Sequence, residues 1–255
     1  NAAIGGGNGG GMSNVGNSEA TLINATFSTT SAFLGGGLDN ETGRVTLTNA
    51  AFLFNSAVQG GGGVASFNGG VATLTNVTFN SNVAAYYGAL YSGNGSSAQV
   101  LNSILWGDRA TTSGPEVIGA TVSYSIVQGS GGSGSAWWAA SFVVDGGHNL
   151  DSDGSCKLDS RFGSLSKVDP RLGGLVDNGG PTSTHALLAG SPALDLIPPN
   201  PADRCPPADQ RGVARPQPRG GNCDSGAYER STTGPAAYRF DGFYPPIAMP
   251  PAINE

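Results

Sequence analysis

Residues 72–79 read ATLTNVTF, and residues 45–52 read VTLTNAAF. In the second, Val45 and Leu47 alternate with Thr46 and Thr48, the periodicity of a strand with one buried face. The alternation changes phase at the Asn, because Phe52 and Phe79 fall three residues beyond Asn49 and Asn76. A phase change inside an unbroken run is a bend between two strands, and Asn tolerates the left-handed backbone that such bends often require. Outward from these two segments the pattern recurs as ATLINATF (20–27), AQVLNSIL (98–105) and ATVSYSIV (120–127). The fifth positions are Asn24, Asn49, Asn76, Asn102 and Tyr124, at steps of 25, 27, 26 and 22 residues. Glycine clusters at 5–7, 35–37 and 60–63, and more weakly at Gly88, keep phase with them.

A repeat of this length with two or three short strands fits one rung of a right-handed parallel β-helix. Five or six rungs stacked at about 4.8 Å make a stub about 25–30 Å long with two open ends. Asn24, Asn49, Asn76 and Asn102 are expected to form an inward ladder at one corner, each amide bonded to its neighbours one rung away. The alternative is an ordinary polar turn residue. The glycines are expected to permit tight corners and close contacts between rungs.

Composition supports an all-β chain and excludes other classes. Of 255 residues, 42 are Gly, 16 are Pro and only 12% are charged, at formal net charge -6. So few bases leave no footprint for nucleic acid or an anionic membrane. The longest nearly apolar stretch, 136–144, is far shorter than the roughly 20 residues of a membrane span. Charge is unevenly distributed: residues 1–144 carry five acids and two bases, residues 145–255 thirteen acids and ten bases. The change near 145 reads as a boundary. Three parts are therefore expected: repeats over 1–144, an irregular cap over 145–230 and an extended Pro/aromatic tail over 231–255.

Cys205 and Cys223 flank a Pro/Arg/Gly-rich loop without strand or helix periodicity, and are expected to form a disulfide worth about 3 kcal/mol. Such a bond implies an oxidising, extracytoplasmic setting, and leaves Cys156 as the odd thiol. The Trp137–Trp138 pair reads as a core-sealing step, with a sugar platform or an intermolecular contact as alternatives. The chain opens on Asn1 rather than Met, which reads as a processed or trimmed product of a longer precursor.

Candidates for chemistry are few. Asn149, Asp151 and Asp153, followed by Gly154, occupy the first positions of a calcium-loop pattern, although Ser160 stands where the closing Glu belongs; a plain Asx turn is the alternative. Calcium is the only cofactor in view. A polysaccharide-cleaving site needs clustered carboxylates. The repeats supply Asp39, Glu41 and Arg44 in one loop and Asp108 with Arg109 two rungs on, with no Lys. Ser183, His185 and Asp177 could form a triad only on paper. No catalytic residue is assigned.

The segments GGGGV (60–64), LTNVTFNSN (74–82) and FLFN (52–55) resemble the repeats of polymorphic outer-membrane-type proteins and related bacterial surface proteins. GHNLDSDGSC (147–156), VDPRLGGLVDNGGPTSTHALLAGSPALD (168–195), DQRGVARP (209–216) and CDSGAYER (223–230) resemble the choice-of-anchor Q module. That resemblance implies a C-terminal cap in a secreted bacterial β-helix protein and no established enzymatic chemistry. As a cap, Leu172, Leu175, Val176, Leu187, Leu188 and Leu194 are expected to pack over the last rung, since solenoid ends need terminal units unlike the internal ones.

The function expected from these features is non-catalytic and structural: an extracellular or cell-surface subunit that associates head to tail with copies of itself. The first rung reads as uncapped, and Tyr238, Phe240, Phe243 and Tyr244 in the tail are the expected assembly contact. A surface adhesin or carbohydrate-binding module, with cell-surface polysaccharide as partner, is the alternative, followed by a polysaccharide lyase or hydrolase.

Overall fold

The computed structural model describes residues 7–113, 116–128, 143–199 and 205–231. Four parallel sheets run along a solenoid, each built of one short strand per rung. The first holds Met12–Val15, Leu38–Glu41, Val64–Phe67, Leu90–Ser92 and Val117–Ile118. The second holds Glu19–Ile23, Arg44–Thr48, Val71–Thr75, Ser97–Leu101, Ala120–Ser123 and Val144–Asp145. The third holds Thr26–Ser28, Ala51–Leu53, Thr78–Asn80, Ile104–Trp106, Ile126–Val127, Leu150–Asp151 and Leu165–Ser166. The fourth holds Ser31–Leu34, Ser56–Gly60, Val83–Tyr86 and Arg109–Ser113. A rung thus has four strands, not two or three. Among the described residues no helix is long and apolar enough to cross a membrane.

The register is the one the repeat predicts, with Ala20, Val45, Ala72, Ala98 and Ala120 in one row. Leu38, Val45, Leu47, Phe52, Leu74 and Phe79 fill the interior. Phe27, Phe52 and Phe79 stack ring on ring at 4.8 and 5.0 Å, the spacing of the rungs themselves. Each of the four corners carries left-handed residues. The bend from second to third sheet uses Asn24, Asn49, Asn76, Asn102 and Tyr124, with φ from 46° to 58°. The next uses Thr29, Phe54, Ser81 and Gly107, the third Gly9, Gly35, Gly61 and Tyr87, and the last Thr42, Asn68 and Asn94. Glycine is obligatory where rungs touch: a Cβ on Gly62 would lie 2.4 Å from the Gly88 carbonyl, and one on Gly63 2.7 Å from the Phe79 ring.

Two expectations about the second part are corrected. Parallel pairing does not stop at residue 144: Val144–Asp145 joins the second sheet, and Leu150–Asp151 and Leu165–Ser166 extend the third. The repeat fades because the first and fourth sheets drop out while the other two continue. The C-terminal residues also do not sit over the last rung, where Val143, Cys156 and Leu158 meet the core. Instead Leu172, Leu187, Leu194, Ala193 and Ala227 pack against Ile104, Ile126 and Leu150 on the outer face of the third sheet, while Val176 and Leu188 are exposed. The reason lies in one outward row of that sheet, Thr26, Ala51, Thr78, Ile104, Ile126 and Leu150, which turns apolar along the solenoid. Apolar outward residues need a partner, and an antiparallel hairpin of Leu172–Val176 and Thr184–Leu187 begins the segment that supplies it.

Candidate functional site

The expected Asn ladder exists, but it faces outward. Asn49 Nδ2 donates to Asn24 Oδ1 at 3.3 Å, and Asn76 Nδ2 to Asn49 Oδ1 at 3.2 Å. Asn24 is exposed, whereas Asn76 and Asn102 are buried by the C-terminal segment. There Asn76 Nδ2 also donates to the Ala208 carbonyl, and Arg215 donates to Asn102 Oδ1. The left-handed Asn turns its amide away from the core while Ala50 and Val77, the next residues, turn inward.

An inner polar column was not foreseen. Thr30, Asn55, Asn82 and Asp108 stand three residues after Phe27, Phe52, Phe79 and Leu105, at the corner between third and fourth sheets. Thr30 Oγ1 donates to Asn55 Oδ1 at 2.7 Å, Asn55 Nδ2 to Asn82 Oδ1 at 2.9 Å, and Asn82 Nδ2 to Asp108 Oδ1 at 2.6 Å. The column ends on a second acid: Glu116 accepts from the Asp108 N–H at 3.1 Å and the Gln128 N–H at 3.1 Å. Asp108 Oδ2 is buried without a hydrogen-bond partner, and Glu116 is the acid that neighbours it.

Burial pushes Asp108 up to about 7, against the pull of the Asn82 donors. Burial, then the charge of Asp108, pushes Glu116 well above the usual carboxylate range. Both acids are buried, and burial favours their neutral forms. Arg109, beside Asp108 in sequence, is exposed. Burial and the charges of Asp151 and Glu116 also push the Cys156 thiol up, which leaves it unreactive.

A pH dependence follows. With folded pKa values raised, the folded chain binds more protons than the unfolded chain between about pH 4 and about 7. Stability from this pair is therefore complete below the unfolded values and is lost as pH rises through the folded ones, by up to about 1.4 kcal/mol per pH unit per proton. Asp108→Asn retains the acceptor for Asn82, gives Glu116 a donor and removes one charge. It is expected to match the native chain near pH 4 and to exceed it by about 1 kcal/mol or more near pH 8. Urea titrations at the two pH values check this; a variant weaker at both would refute the raised Asp108 carboxyl.

The C-terminal strings assemble into a polar clamp. Gln210, fully buried, accepts from Thr78 Oγ1 at 2.7 Å and donates to the Ala50 carbonyl at 3.2 Å and Thr182 Oγ1 at 2.8 Å. Asp209 binds Arg211 and accepts the Val213 and Glu229 N–H groups. Arg215 donates to the carbonyls of Asp224 at 3.0 Å and Gly226 at 2.6 Å, and lies 3.7 Å from Glu229. Glu229 in turn accepts from the N–H groups of Asp224 and Gln217. Burial pushes Glu229 up to about 7 although Arg215 pulls it down. Cys205 and Cys223 are bonded to each other, with Cα atoms 6.2 Å apart. DQRGVARP and CDSGAYER thus meet each other and the solenoid wall.

The remaining site residues separate. Asn149 does not form a calcium loop with Asp151 and Asp153. Its amide accepts from Ser125 N–H at 2.9 Å and donates to the Val122 carbonyl at 2.7 Å inside the solenoid. Asp151 and Asp153 accept from N–H groups two residues on. Among the described residues no group of three His, Cys, Asp or Glu could hold a metal. His185 lies between the Gly173 carbonyl at 2.8 Å and the Asn80 amide at 3.1 Å, and Asp177 caps Gly179, so no triad forms. Trp137, Trp138, Tyr238, Phe240, Phe243 and Tyr244 lie outside the described residues. Comparison with protein families, curated proteins and solved structures finds no match.

Proposed function

We propose that this chain is a non-catalytic structural solenoid of an extracellular or cell-surface bacterial protein, and that it associates head to tail with further copies of itself. The observation that carries the reading is the state of the first rung. Met12, Ala20, Leu22, Ala25 and Phe27 hold the positions that Leu38, Val45, Leu47, Ala50 and Phe52 hold in the next rung; the latter are buried, the former only half-buried. Among the described residues, Met12–Val15, Glu19–Ile23 and Thr26–Ser28 pair on one side only, whereas Ser31–Leu34 is also bonded by Gly7 and Gly9 on its other side. A registered edge around an apolar cross-section is a template for another chain, and contact between unlike ends extends without closing. At the other end Arg109–Ser113 and Val117–Ile118 are the last strands of their sheets. The Cys205–Cys223 bond and the choice-of-anchor Q resemblance support an extracytoplasmic setting.

Light scattering and negative-stain imaging across a concentration series test the reading. The native chain is expected to form concentration-dependent oligomers or filaments, and Leu22→Glu to be monomeric with an unchanged circular dichroism spectrum. A native chain that stays monomeric at high concentration rejects it. One observation favours the carbohydrate-binding alternative. Tyr87 stacks on Tyr91 at 5.3 Å beside the exposed Tyr86, and Tyr87 adopts φ 56° where the preceding rungs use Gly35 and Gly61. Glycan binding lost in Tyr86→Ala would support that alternative.

A further inference from the structure

The corner from the first to the second sheet is built unevenly along the solenoid. From Ala65 to Ala72 the third rung passes through residues 66–71, and from Tyr91 to Ala98 the fourth passes through 92–97. In the fifth, Gly119 alone separates their partners Ile118 and Ala120. The third and fourth rungs close these excursions with the same turn. Asn68 and Gly69 have φ of 53° and 86°, and Asn94 and Gly95 have φ of 52° and 77°. Gly70 N–H bonds to the Phe67 carbonyl at 3.1 Å, as Ser96 N–H does to the Gly93 carbonyl at 3.2 Å. Two left-handed residues closed in this way make a type I′ turn, for which Asn-Gly is the favoured pair. The turns stack, with Gly69 N–H donating to the Asn94 carbonyl at 3.1 Å, but the fifth rung has no turn to continue the stack. Among the described residues Gly95 N–H therefore donates to no group, and a Cβ at Gly95 would meet nothing within 4 Å. Asn94 is exposed, and its side-chain amide is held by a single long bond, 3.4 Å to Asn68 Oδ1.

We propose that Asn94 is a site of spontaneous deamidation, the Asn–Gly pair at which the native chain first converts an amide to an acid. The Gly95 backbone nitrogen, on losing its proton to hydroxide, attacks Asn94 Cγ. The new C–N bond closes a succinimide ring while the Cγ–Nδ2 bond breaks, and Nδ2 leaves as ammonia with a proton from water, which restores the hydroxide. Water then opens the ring at either carbonyl, giving aspartate or, with the main chain rerouted through the side chain, isoaspartate. Glycine suits the attack because no Cβ shields its nitrogen. The sequence holds four such pairs, at Asn8, Asn68, Asn94 and Asn178, and the fold ranks them. Gly9 N–H donates to the Leu34 carbonyl at 2.9 Å, and Gly179 N–H to Asp177 Oδ1 at 2.9 Å. The Asn178 amide is also tied to the Thr184 carbonyl at 2.8 Å. At Asn68 the Gly69 N–H is engaged, and Nδ2 donates to Glu41 Oε1 at 2.9 Å, a charge-assisted bond that must break before ammonia leaves. At Asn94 both the attacking nitrogen and the leaving amide are the least restrained of the four. Rotating the 94–95 peptide toward the side chain gives up the turn bond and the Gly69 bond; the second loss frees Gly69 N–H, so Asn68 is expected to follow. This site goes beyond the assembly proposal and does not depend on it.

Incubating the full native chain at mildly alkaline pH tests the site, with samples over time mapped by peptide fragmentation that separates Asn68 from Asn94. Conversion at Asn94 is expected to run about fivefold or more ahead of Asn8, Asn68 and Asn178, the factor that one further hydrogen bond represents. Isoaspartate is expected among its products. In urea the four pairs are expected to convert at like rates, because the bonds that rank them are gone. Asn94→Gln, whose longer side chain would have to close a six-membered ring, is expected to lose the early conversion and to leave Asn68 at its slow initial rate. Native Asn94 converting no faster than Asn68 would overturn the proposal. So would the same rank order in urea, which would trace the preference to sequence neighbours and not to the open end of the turn stack, or an Asn94→Gln chain that gains acid as fast as the native one.

Discussion

Phe52→Ala is expected to cost about 4 kcal/mol, the range for removing a large, fully buried aromatic. Phe52 is the middle ring of the Phe27–Phe52–Phe79 stack, so its loss removes a contact on both faces and leaves a void between two rungs. The void has no easy way to collapse, because the spacing between rungs is fixed by backbone hydrogen bonds such as Gly37 N–H to Gly63 O and Ala51 N–H to Ala25 O. Phe27→Ala, in the half-buried first rung, is expected to cost about half as much. Urea unfolding of both variants at low concentration, followed by circular dichroism, makes the comparison. Equal losses would mean that the first ring is as well covered as the second, and so that the first rung is not an open end.

That comparison rests on a register that could be read before any coordinates, because a single 22–27-residue period specifies which residues stack. Phe27, Phe52 and Phe79 share one phase, and so do Asn24, Asn49, Asn76 and Asn102. The direction in which the Asn row points could not be read as easily. A left-handed residue at a bend turns its side chain away from the residue that follows, and Ala50 or Val77 takes the inward position instead. The inner column was legible but overlooked: Thr30, Asn55, Asn82 and Asp108 recur three residues after the ring positions. So was the site of the clamp, in the row Thr26, Ala51, Thr78, Ile104, Ile126 and Leu150, where a position that begins polar becomes consistently aliphatic. Glu116 was beyond reach because its role depends on a corner that has lost the glycine signature. The same holds within the clamp, where no period relates Arg215 to Glu229 and only folding brings them together.

Replacing Arg215 should therefore test the clamp as a unit. Arg215→Met is expected to destabilise the protein by about 3–5 kcal/mol, the cost of leaving a buried partner charge uncompensated. Both side chains of the pair are 0% exposed, so Glu229 cannot regain water without the clamp moving. The Asp224 and Gly226 carbonyls lose their donors at the same time, and each unsatisfied buried group adds to the cost. Met fills similar volume, so a cavity is not the cause. Arg215→Met with Glu229→Gln is expected to recover a part of the loss, because the stranded charge is gone while the carbonyls remain unpaired. The solenoid itself should persist, since its rungs are bonded to one another through their backbones and Arg215 reaches them only at the Asn102 side chain. Loosening of the clamp would bare Ile104, Ile126 and Leu150, so the single variant is expected to bind a hydrophobic dye at urea concentrations where the native chain does not. If Arg215→Met unfolds in one transition with the native midpoint and no dye binding, the buried pair does not hold the clamp to the wall. The disulfide and Gln210 would then carry that role.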